Sequence, residues 1–441
     1  MKENLLKRHW NIIYCAPIVC GILAIVLSVV FNPVFVGRYI SSDHDLEGRT
    51  VKNIYLLEGF TFFIGLSLIL LSRALRVHSE KKEKIVTNFL MLCGSIAFTL
   101  VLLEIGLKVV NRYVMPLNRQ RHAFFQYDDV LGWTQKSNKT SYFKATRVQI
   151  NSKGLRDEET PYQKPDGEFR MLFLGDSQLF GDGVEAEETF ASLLETELNS
   201  VQAINAGVIG YGTDQQLLFL KKEGIKYSPD LVIVAMNAYD FQDNISKTIK
   251  SGYSKPVFKI KEDELILTNV PVPRFDIVER INRRLNDMSY LYHFASVGFG
   301  SIVNRGTEGE GRREVAPDSI LLKGSQMEEA LSITKRILKE IAQEGSKVNA
   351  QTVVVFLPYQ MDFGSAPNYK QTIDTLCQGL DTYSKANDFL FMDIRSELAA
   401  SYQPSIYRDT MHFSAEGHQI VAGILLKNLI GLQFIPEVHR K

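Results

Sequence analysis

From residue 169 onward, short and continuously apolar runs alternate with amphipathic segments of helical spacing. The first run, 169–174, leads directly into Gly-Asp-Ser, with the serine at position 177. Further apolar runs follow at 231–236 and 352–357. Continuous apolar strands joined by helical crossovers are typical of a parallel sheet that is covered on both faces. The sequence therefore predicts a three-layer α/β/α domain over residues 169–441.

Ser177 stands where the first apolar strand gives way to a helix. A hydroxyl in that position lies at the rim of the sheet, beside the positive end of the helix, and is suited to attack on an ester carbonyl. Far downstream, Asp409 and His412 precede another helical segment. They are three residues apart, so a single turn can place the carboxylate against the imidazole. Ser177, Asp409 and His412 are therefore predicted to be nucleophile, orienting carboxylate and base.

Two neighbouring polar residues have simpler interpretations. Asp176 precedes a predicted helix and is expected to cap it, because Asp is a favoured N-cap residue. His418 lies six residues after His412, in the predicted helix that follows the Asp409–His412 segment. Its side chain is expected to point away from the site and to have a structural role.

The first hundred or so residues contain three long apolar runs, at about 12–36, 54–72 and 85–107. Each is close to the ~20 residues that cross a bilayer as a helix. We expect three transmembrane helices in residues 1–111, which form a membrane anchor, with the lipid bilayer as a partner. The competing interpretations are a cleaved signal peptide for the first run and buried helices for all three.

The orientation of the anchor follows from the distribution of basic residues. A dense cluster of Lys and Arg fills the short loop at 73–84, and such clusters favour the cytoplasmic side. An odd number of spans then places the remaining chain outside the cytoplasm. The expected location is the cell membrane, multi-pass, with an extracytoplasmic catalytic domain.

Two segments interrupt this simple organisation. Residues 112–168 have the pattern of short strands and turns, and we interpret them as a lead-in to the α/β domain. Between about 245 and 324 the alternation breaks, with an amphipathic segment near 275–297. A loop of that length is either functional or disordered. We interpret it as an insertion over the active-site rim, and a plain flexible excursion is the alternative.

Composition and spacing exclude several classes of function. The 50 basic and 50 acidic side chains cancel, so no net charge attracts nucleic acid, and none is expected as a partner. The sequence has no Cys/His cluster and no glycine spacing of a dinucleotide or phosphate loop, so neither a metal nor another cofactor is expected. Cys377 is the only cysteine beyond the predicted anchor, which leaves no pair for a disulfide there.

Four blocks of the sequence resemble, in order, the SGNH or GDSL-type hydrolases, and specifically their membrane-anchored bacterial members. The blocks lie at 175–190, 205–213, 229–244 and 409–418. Residues 151–157, Asn-Ser-Lys-Gly-Leu-Arg-Asp, also resemble the segment that precedes the domain in such members.

The resemblance implies the roles of individual residues. It assigns Ser177, Asp409 and His412 to a catalytic triad. It also implies an oxyanion hole made of the N–H groups of Ser177 and Gly210 and the side chain of an asparagine. A glycine at 210 lets its N–H approach a reacting oxygen without a Cβ in the way.

The asparagine is where the sequence departs from the family pattern. Members usually carry Gly-x-Asn-Asp or Gly-Asn-Asp after the third strand, whereas residues 235–240 here are Ala-Met-Asn-Ala-Tyr-Asp. Alignment on the end of the strand assigns the role to Asn237, which we prefer. Alignment on the acidic residues downstream assigns it to Tyr239, whose phenol would donate instead.

These observations predict a membrane-anchored serine esterase that forms an acyl-enzyme on Ser177. The expected substrates are acyl esters, O-acetyl esters included, of a small molecule, an envelope polysaccharide or a lipid. One alternative is an O-acyltransferase that uses the same triad. Another is a catalytically weak module for carbohydrate binding or assembly.

Overall fold

The computed structural model describes residues 82–109, 124–144, 146–249, 252–275, 277–293, 324–364 and 366–441, with a few single positions elsewhere. Nearly all of the two predicted spans at 12–36 and 54–72 lies outside these residues. The third, at 85–107, falls within a helix that runs from Lys82 to Val109. Among the described residues, none of the helices combines the length and the apolar character that crossing a bilayer requires.

The chain divides into two compact units. One comprises Met1–Met115 and Phe275–Ile302, and the other comprises Pro116–Arg274 and Val303–Lys441. The first unit contains helix α1, Lys82–Val109, and the middle part of the predicted insertion. The second unit contains the lead-in from Pro116 onward, the first and last parts of the insertion, and the α/β core.

In the α/β core the strands and helices alternate as predicted, and the short 3₁₀ turns are not numbered. The strands are β1 Phe125–Asp128, β2 Gly132–Gln135, β3 Lys139–Phe143, β4 Thr146–Ile150, β5 Phe169–Gly175, β6 Val201–Gly207, β7 Leu231–Met236, β8 Val257–Lys261, β9 Glu264–Thr268, β10 Gln351–Phe356 and β11 Leu390–Asp393. After α1, the helices are α2 Ser177–Phe180, α3 Phe190–Thr196, α4 Thr213–Lys222, α5 Ala238–Asp243, α6 Ile277–Met288, α7 Ser325–Ser346, α8 Pro367–Ser384, α9 Arg395–Ala400 and α10 Ala415–Gly431.

The core of the second unit is a five-stranded sheet in the order β11-β10-β7-β5-β6, with every neighbouring pair parallel. Helices α3 and α10 pack on one face, and α4, α7 and α8 lie on the other. All seven residues of β5 and all six of β7 are buried, as expected for strands covered on both sides. The predicted three-layer α/β/α architecture with a parallel sheet is confirmed.

The lead-in and the insertion each contribute antiparallel hairpins to the second unit. In the lead-in, β1 pairs with β2 and β3 pairs with β4. In the insertion, β8 and β9 form a hairpin whose two turn residues, Glu262 and Asp263, have φ of 50° and 69°. Positive φ at both turn positions matches the twist of paired strands, although this turn lacks the usual Asn-Gly sequence.

In the first unit, Glu104 of α1 holds the segment that follows α6. Its carboxylate accepts hydrogen bonds from Ser289 Oγ at 2.8 Å and from the backbone N–H groups of Tyr290 and Leu291 at 3.2 and 3.0 Å. The three donors come from consecutive residues, so the carboxylate lies at the start of the helical turn formed by Tyr290–His293. Glu104 therefore fixes the position of this segment against α1.

Candidate active site

The serine, histidine and aspartate predicted from the sequence form a hydrogen-bonded chain with the histidine in the middle. Ser177 Oγ is 2.9 Å from His412 Nε2. On the other side of the ring, His412 Nδ1 is 2.8 Å from Asp409 Oδ1 and 2.9 Å from Oδ2. An ionised carboxylate can only accept, so Nδ1 carries the proton and Nε2 accepts from the hydroxyl of Ser177. The three groups have the geometry of nucleophile, base and orienting carboxylate.

Asp409 is held as an anion by several donors. Its Oδ1 also accepts hydrogen bonds from the backbone N–H groups of Met411 and His412, both at 2.9 Å. The ammonium of Lys144 lies 3.5 Å from Oδ2. Burial alone would raise the pKa of Asp409, but the hydrogen bonds and the nearby positive charge hold that pKa well below its usual range. The carboxylate can therefore stabilise the imidazolium that forms when His412 takes a proton.

Ser177 lies at the edge of the sheet, just after the carboxyl end of strand β5. Ser177 opens the short helix α2, and the Asp176 carboxylate accepts a hydrogen bond from Gln178 N at 2.9 Å. Asp176 thus caps the helix, as the sequence predicts. Burial raises the pKa of Asp176, although hydrogen bonds from Gln178 and Asn237 oppose the shift. The nucleophile itself is 7% exposed, and His412 is 6% exposed.

The other proposed site residues reach the same edge because of the strand order. Strand β5 pairs in parallel with both β6 and β7, so the carboxyl ends of the three strands lie side by side. Gly210 lies in the loop after β6 with φ of +83°, a left-handed conformation that glycine adopts without strain. Asn237 directly follows β7. The fold therefore places Gly210 and Asn237 on strand ends adjacent to that of Ser177.

The asparagine is closely held at the end of β7. Asn237 Nδ2 donates to Asp176 Oδ2 at 2.9 Å. Its Oδ1 accepts from the Tyr359 hydroxyl at 2.5 Å and from Tyr239 N at 2.9 Å. Tyr239, the alternative donor, lies on α5 with its ring packed edge-to-face against Tyr359. The structure thus places Asn237, the residue given by alignment on the strand end, beside the cap residue that precedes the nucleophile.

The lead-in supports the loop that carries Gly210, which the sequence analysis did not predict. Trp133 Nε1 donates to Ile209 O at 3.2 Å, and Gln135 Nε2 donates to Gly207 O at 2.8 Å. The Tyr211 hydroxyl in turn donates to Trp133 O at 2.5 Å. All of these contacts are buried. Strand β2 therefore fixes the backbone on both sides of the glycine proposed for the oxyanion hole.

A buried arginine of the lead-in binds the loop after the nucleophile. The guanidinium of Arg156 donates to the carbonyls of Phe180 at 2.8 Å, Gly181 at 2.6 Å, Val184 at 2.7 Å and Arg147 at 3.2 Å. Burial lowers the pKa of Arg156 to about 10, so the side chain remains charged at neutral pH. The arginine of the 151–157 segment therefore holds the loop that follows the nucleophile.

A second carboxylate, that of Asp182, lies near His412, and the ammonium of Lys144 lies beside that carboxylate. Asp182 Oδ2 lies 3.5 Å from His412 Nε2, and Lys144 Nζ lies 2.9 Å from Asp182 Oδ1. Neither Asp182 nor Lys144 was assigned a role from the sequence. In the part of the chain described, no group of three or more His, Cys, Asp or Glu side chains could hold a metal ion.

His418 is buried and structural, as the sequence analysis expects. Its Nδ1 accepts a hydrogen bond from Phe190 N at 3.2 Å, and its ring stacks on that of Phe190 at a centroid distance of 5.5 Å. Burial lowers the pKa of His418 to about 3, with a smaller contribution from nearby positive charge. The neutral imidazole is therefore part of the packing between α3 and α10.

This histidine makes stability depend on pH. The pKa of His418 is lower in the folded protein than in the unfolded chain. The contribution of His418 to the free energy of unfolding is therefore complete above about pH 6.5 and is lost as the pH falls towards 3. Between pH 8 and pH 5, we expect the free energy of unfolding to fall by about 2 kcal/mol more in the wild type than in His418→Gln. Urea unfolding followed by tryptophan fluorescence measures the difference. Parallel pH dependences in the two proteins would show that His418 is not buried as neutral imidazole.

Comparison with known proteins identifies the family. The family model described as the GDSL-like Lipase/Acylhydrolase family matches residues 173–420, more than half of the chain. No curated protein matches. Among solved structures, a catalytic mutant of Axe2, an acetylxylan esterase from Geobacillus stearothermophilus, is 12% identical with a TM-score of 0.36, and the match covers 60% of this chain and 96% of that one.

Two other solved structures are similar to the same extent. TesA is 13% identical with a TM-score of 0.33, covering 60% of this chain and 99% of that chain. A putative lipolytic protein of the G-D-S-L family from Desulfitobacterium hafniense DCB-2 is 12% identical with a TM-score of 0.32, covering 59% and 99%. TM-scores of this size do not establish a shared fold, so the assignment rests on the family match and the site. The chain belongs to the GDSL-like lipase/acylhydrolase family and is a serine hydrolase that acts on carboxylic esters.

Proposed function

We propose that this protein is a membrane-anchored esterase that removes acyl groups, O-acetyl groups among them, from envelope polysaccharide or lipid outside the cytoplasm. The observation that carries the catalytic part is the continuous chain from Ser177 Oγ through His412 to Asp409, with contacts of 2.9 and 2.8 Å. The sequence pattern of residues 1–111 carries the proposed location.

Catalysis would proceed through two half-reactions. His412 Nε2 takes the hydroxyl proton as Ser177 Oγ attacks the ester carbonyl, and the imidazolium returns that proton to the departing alcohol. The acyl group is then bound to Ser177 as an ester. Water, deprotonated by the same nitrogen, attacks this acyl-enzyme, and the carboxylic acid leaves as Ser177 regains its proton.

Three donors would stabilise the negative oxygen of each tetrahedral intermediate. These are the N–H groups of Ser177 and Gly210 and the amide of Asn237. An asparagine amide has two N–H bonds, and Asp176 accepts only one, at 2.9 Å. Such fixed donors are commonly the largest single contribution to catalysis, and loss of one costs about 3 kcal/mol in activation free energy. Tyr239 remains the alternative third donor.

Side chains beside Gly210 bear on which acyl groups fit. A Cβ added to Gly210 would lie 2.8 Å from Ile249 Cδ1 and 3.4 Å from Trp133 Cζ2. An aliphatic and an aromatic side chain therefore bound the space next to this proposed oxyanion donor. Ile249 comes from the first part of the insertion, which supports the interpretation that this part contributes to the rim of the site.

The anchor is supported by exposed apolar surface as well as by sequence. In the described part of α1, large apolar side chains are exposed at Phe98, Leu100, Val101, Leu102, Leu103, Ile105 and Val109. In α6, Ile281, Leu285 and Met288 share one face and are 54%, 40% and 64% exposed, whereas Asn286 is buried. This burial is the reverse of that expected for a helix on a water-facing surface. Apolar faces of this kind suit contact with a bilayer.

Acyl transfer to a sugar hydroxyl is the second candidate. It uses the same acyl-enzyme and differs only in the group that attacks it. The low exposure of Ser177 and His412, 7% and 6%, favours it, because transfer requires that water be kept from the acyl-enzyme.

The catalytic proposal is tested with the full-length protein in detergent. Covalent labelling by a fluorophosphonate should occur in the wild type and be absent in Ser177→Ala. Hydrolysis of p-nitrophenyl esters from acetyl to octanoyl should show the same dependence, and the preferred chain length defines the acyl group. Adding an acetylated oligosaccharide acceptor distinguishes transfer from hydrolysis. A wild type that is neither labelled nor active would support the binding-module alternative.

The location is tested separately. Alkaline phosphatase fused after Lys441 should be active if the catalytic domain lies outside the cytoplasm. An inactive fusion, together with an active cytoplasmic reporter at the same position, would contradict the proposed orientation without affecting the proposed chemistry.

A further inference from the structure

Asp182 places a second carboxylate at the catalytic histidine. Its backbone N–H donates to Ser177 O at 3.0 Å, so the residue is fixed to the nucleophile helix. The side chain has no solvent exposure, and Oδ2 lies 3.5 Å from His412 Nε2, the nitrogen that exchanges protons with Ser177. Among the described residues, none donates a well-formed hydrogen bond to this oxygen. A buried carboxylate oxygen without a hydrogen bond is costly, and its position beside His412 requires an explanation.

Lys144 connects this carboxylate with the one in the triad. It lies in the turn between β3 and β4, and its ammonium is 2.9 Å from Asp182 Oδ1 and 3.5 Å from Asp409 Oδ2. One positive charge therefore sits between the two carboxylates that flank the two nitrogens of His412. The turn is held in place by Arg408, which donates to Lys144 O at 3.0 Å and also to Gly183 O.

The position of Asp182 matters most after proton transfer. In the resting site, Nε2 is unprotonated and accepts from Ser177. Once Nε2 has taken the proton, the imidazolium faces a carboxylate that stabilises its charge. An unopposed carboxylate would also draw the Nε2 proton away from the departing alcohol. The Lys144 ammonium weakens that attraction by binding Oδ1.

We propose that Asp182 and Lys144 are positioning residues that set the charge balance at His412: Asp182 stabilises the imidazolium during acyl transfer, and Lys144 limits how strongly it does so. This inference rests on the proposed triad and adds to it. It assigns a catalytic purpose to the β3–β4 hairpin of the lead-in, whose turn supplies the ammonium.

Other charged or titratable groups lie near His412, and none of them is substituted in the test. They are Asp409 on its own loop, Asp176 at the cap of α2 and His418 on α10, with Arg156 acting on His418. Substitutions at Asp182 and Lys144 leave all four in place. Any change in the pH dependence of activity can then be assigned to the altered pair.

The test is the pH dependence of kcat/KM for p-nitrophenyl acetate with the full-length protein. On the acidic side of this profile, called the acid limb, activity is lost because a protonated His412 cannot act as a base. Asp182→Asn removes a negative charge, so the limb should move to lower pH, by about 0.5–1 unit. Lys144→Met removes a positive charge, so the limb should move to higher pH by a similar amount. Lys144→Arg should restore the wild-type profile.

Opposite shifts are the signature that a merely structural role would not produce. If both variants lose activity with the acid limb unmoved, or if both limbs move in the same direction, the inference is wrong. Melting temperatures identify a variant that fails to fold, and the Asp182→Asn/Lys144→Met double variant then provides a second test, because its limb should return close to that of the wild type.

Failure of the proposed function gives a different result. Fluorophosphonate labelling of the wild type establishes the triad independently of any pH profile. If the wild type is labelled but the limbs do not shift as stated, only the role of Asp182 and Lys144 is overturned. If the wild type is neither labelled nor active, the proposed triad chemistry fails, and this inference fails with it.

Discussion

Replacement of Asp409 by asparagine is expected to lower kcat by about four orders of magnitude, with little change in KM. Asparagine keeps the size of the side chain, but its amide can donate to His412 Nδ1. The imidazole would then carry its proton on Nε2, facing Ser177, and could no longer act as the base. The contacts of 2.8 and 2.9 Å between this carboxylate and Nδ1 make the tautomer depend directly on Asp409.

Steady-state kinetics of p-nitrophenyl acetate hydrolysis determines the effect on kcat and KM. Asp381→Asn is the matched control, because Asp381 is a half-exposed carboxylate on α8 that pairs with the exposed Lys385, and it should retain wild-type activity. A different pattern would change the assignment. Near-normal activity of Asp409→Asn, with a loss of the same size in Asp182→Asn, would mean that Asp182 orients the histidine.

The second large effect is on stability. Arg156→Met should lower the free energy of unfolding of the second unit by about 3–5 kcal/mol, because four backbone carbonyls lose their donor. Methionine fills part of the space and supplies no N–H group. Since three of those carbonyls belong to residues 180–184, the loop that carries Asp182 should also loosen, and activity should fall in the protein that remains folded.

Urea unfolding and residual esterase activity measure the two consequences. Arg147→Met is the control, since Arg147 is exposed and its substitution should change stability by no more than about 0.5 kcal/mol. Arg156→Lys keeps the charge but cannot donate to four carbonyls at once, and it should lie between the other two. Equal stability of Arg156→Met and Arg147→Met would show that the Arg156 guanidinium is not the main interaction that stabilises the 180–184 loop.

Local patterns were sufficient to predict much of the fold and the triad. The strand–turn–helix around Ser177 and the three-residue spacing of Asp409 and His412 are short-range features, and each can be read within a few residues. The parallel sheet followed from strands that are apolar along their whole length. For the asparagine, local patterns supported only a preference for Asn237 over Tyr239, because two alignments of this loop are both consistent with its residues.

The residues that support the site could not be predicted, because their partners lie far away in the sequence. Trp133 binds a carbonyl 76 residues away, and Lys144 lies beside a catalytic loop more than 260 residues downstream. No spacing rule links such positions, and a single tryptophan or lysine in a short strand is unremarkable by itself. The predicted spans at 12–36 and 54–72 fall almost entirely outside the described residues and remain predictions.

The lead-in hairpins determine where the smallest working enzyme begins. A chain shortened to start at Phe169 would keep the sheet, the triad and both strand-end donors. It would lose Trp133 and Gln135 from the Gly210 loop, Arg156 from the nucleophile loop and Lys144 from the carboxylates. The contacts that support the site therefore begin at Trp133, 36 residues before the start of β5. A truncation at the start of the sheet is expected to weaken both the stability of the domain and the geometry of the site, although all three triad residues would remain.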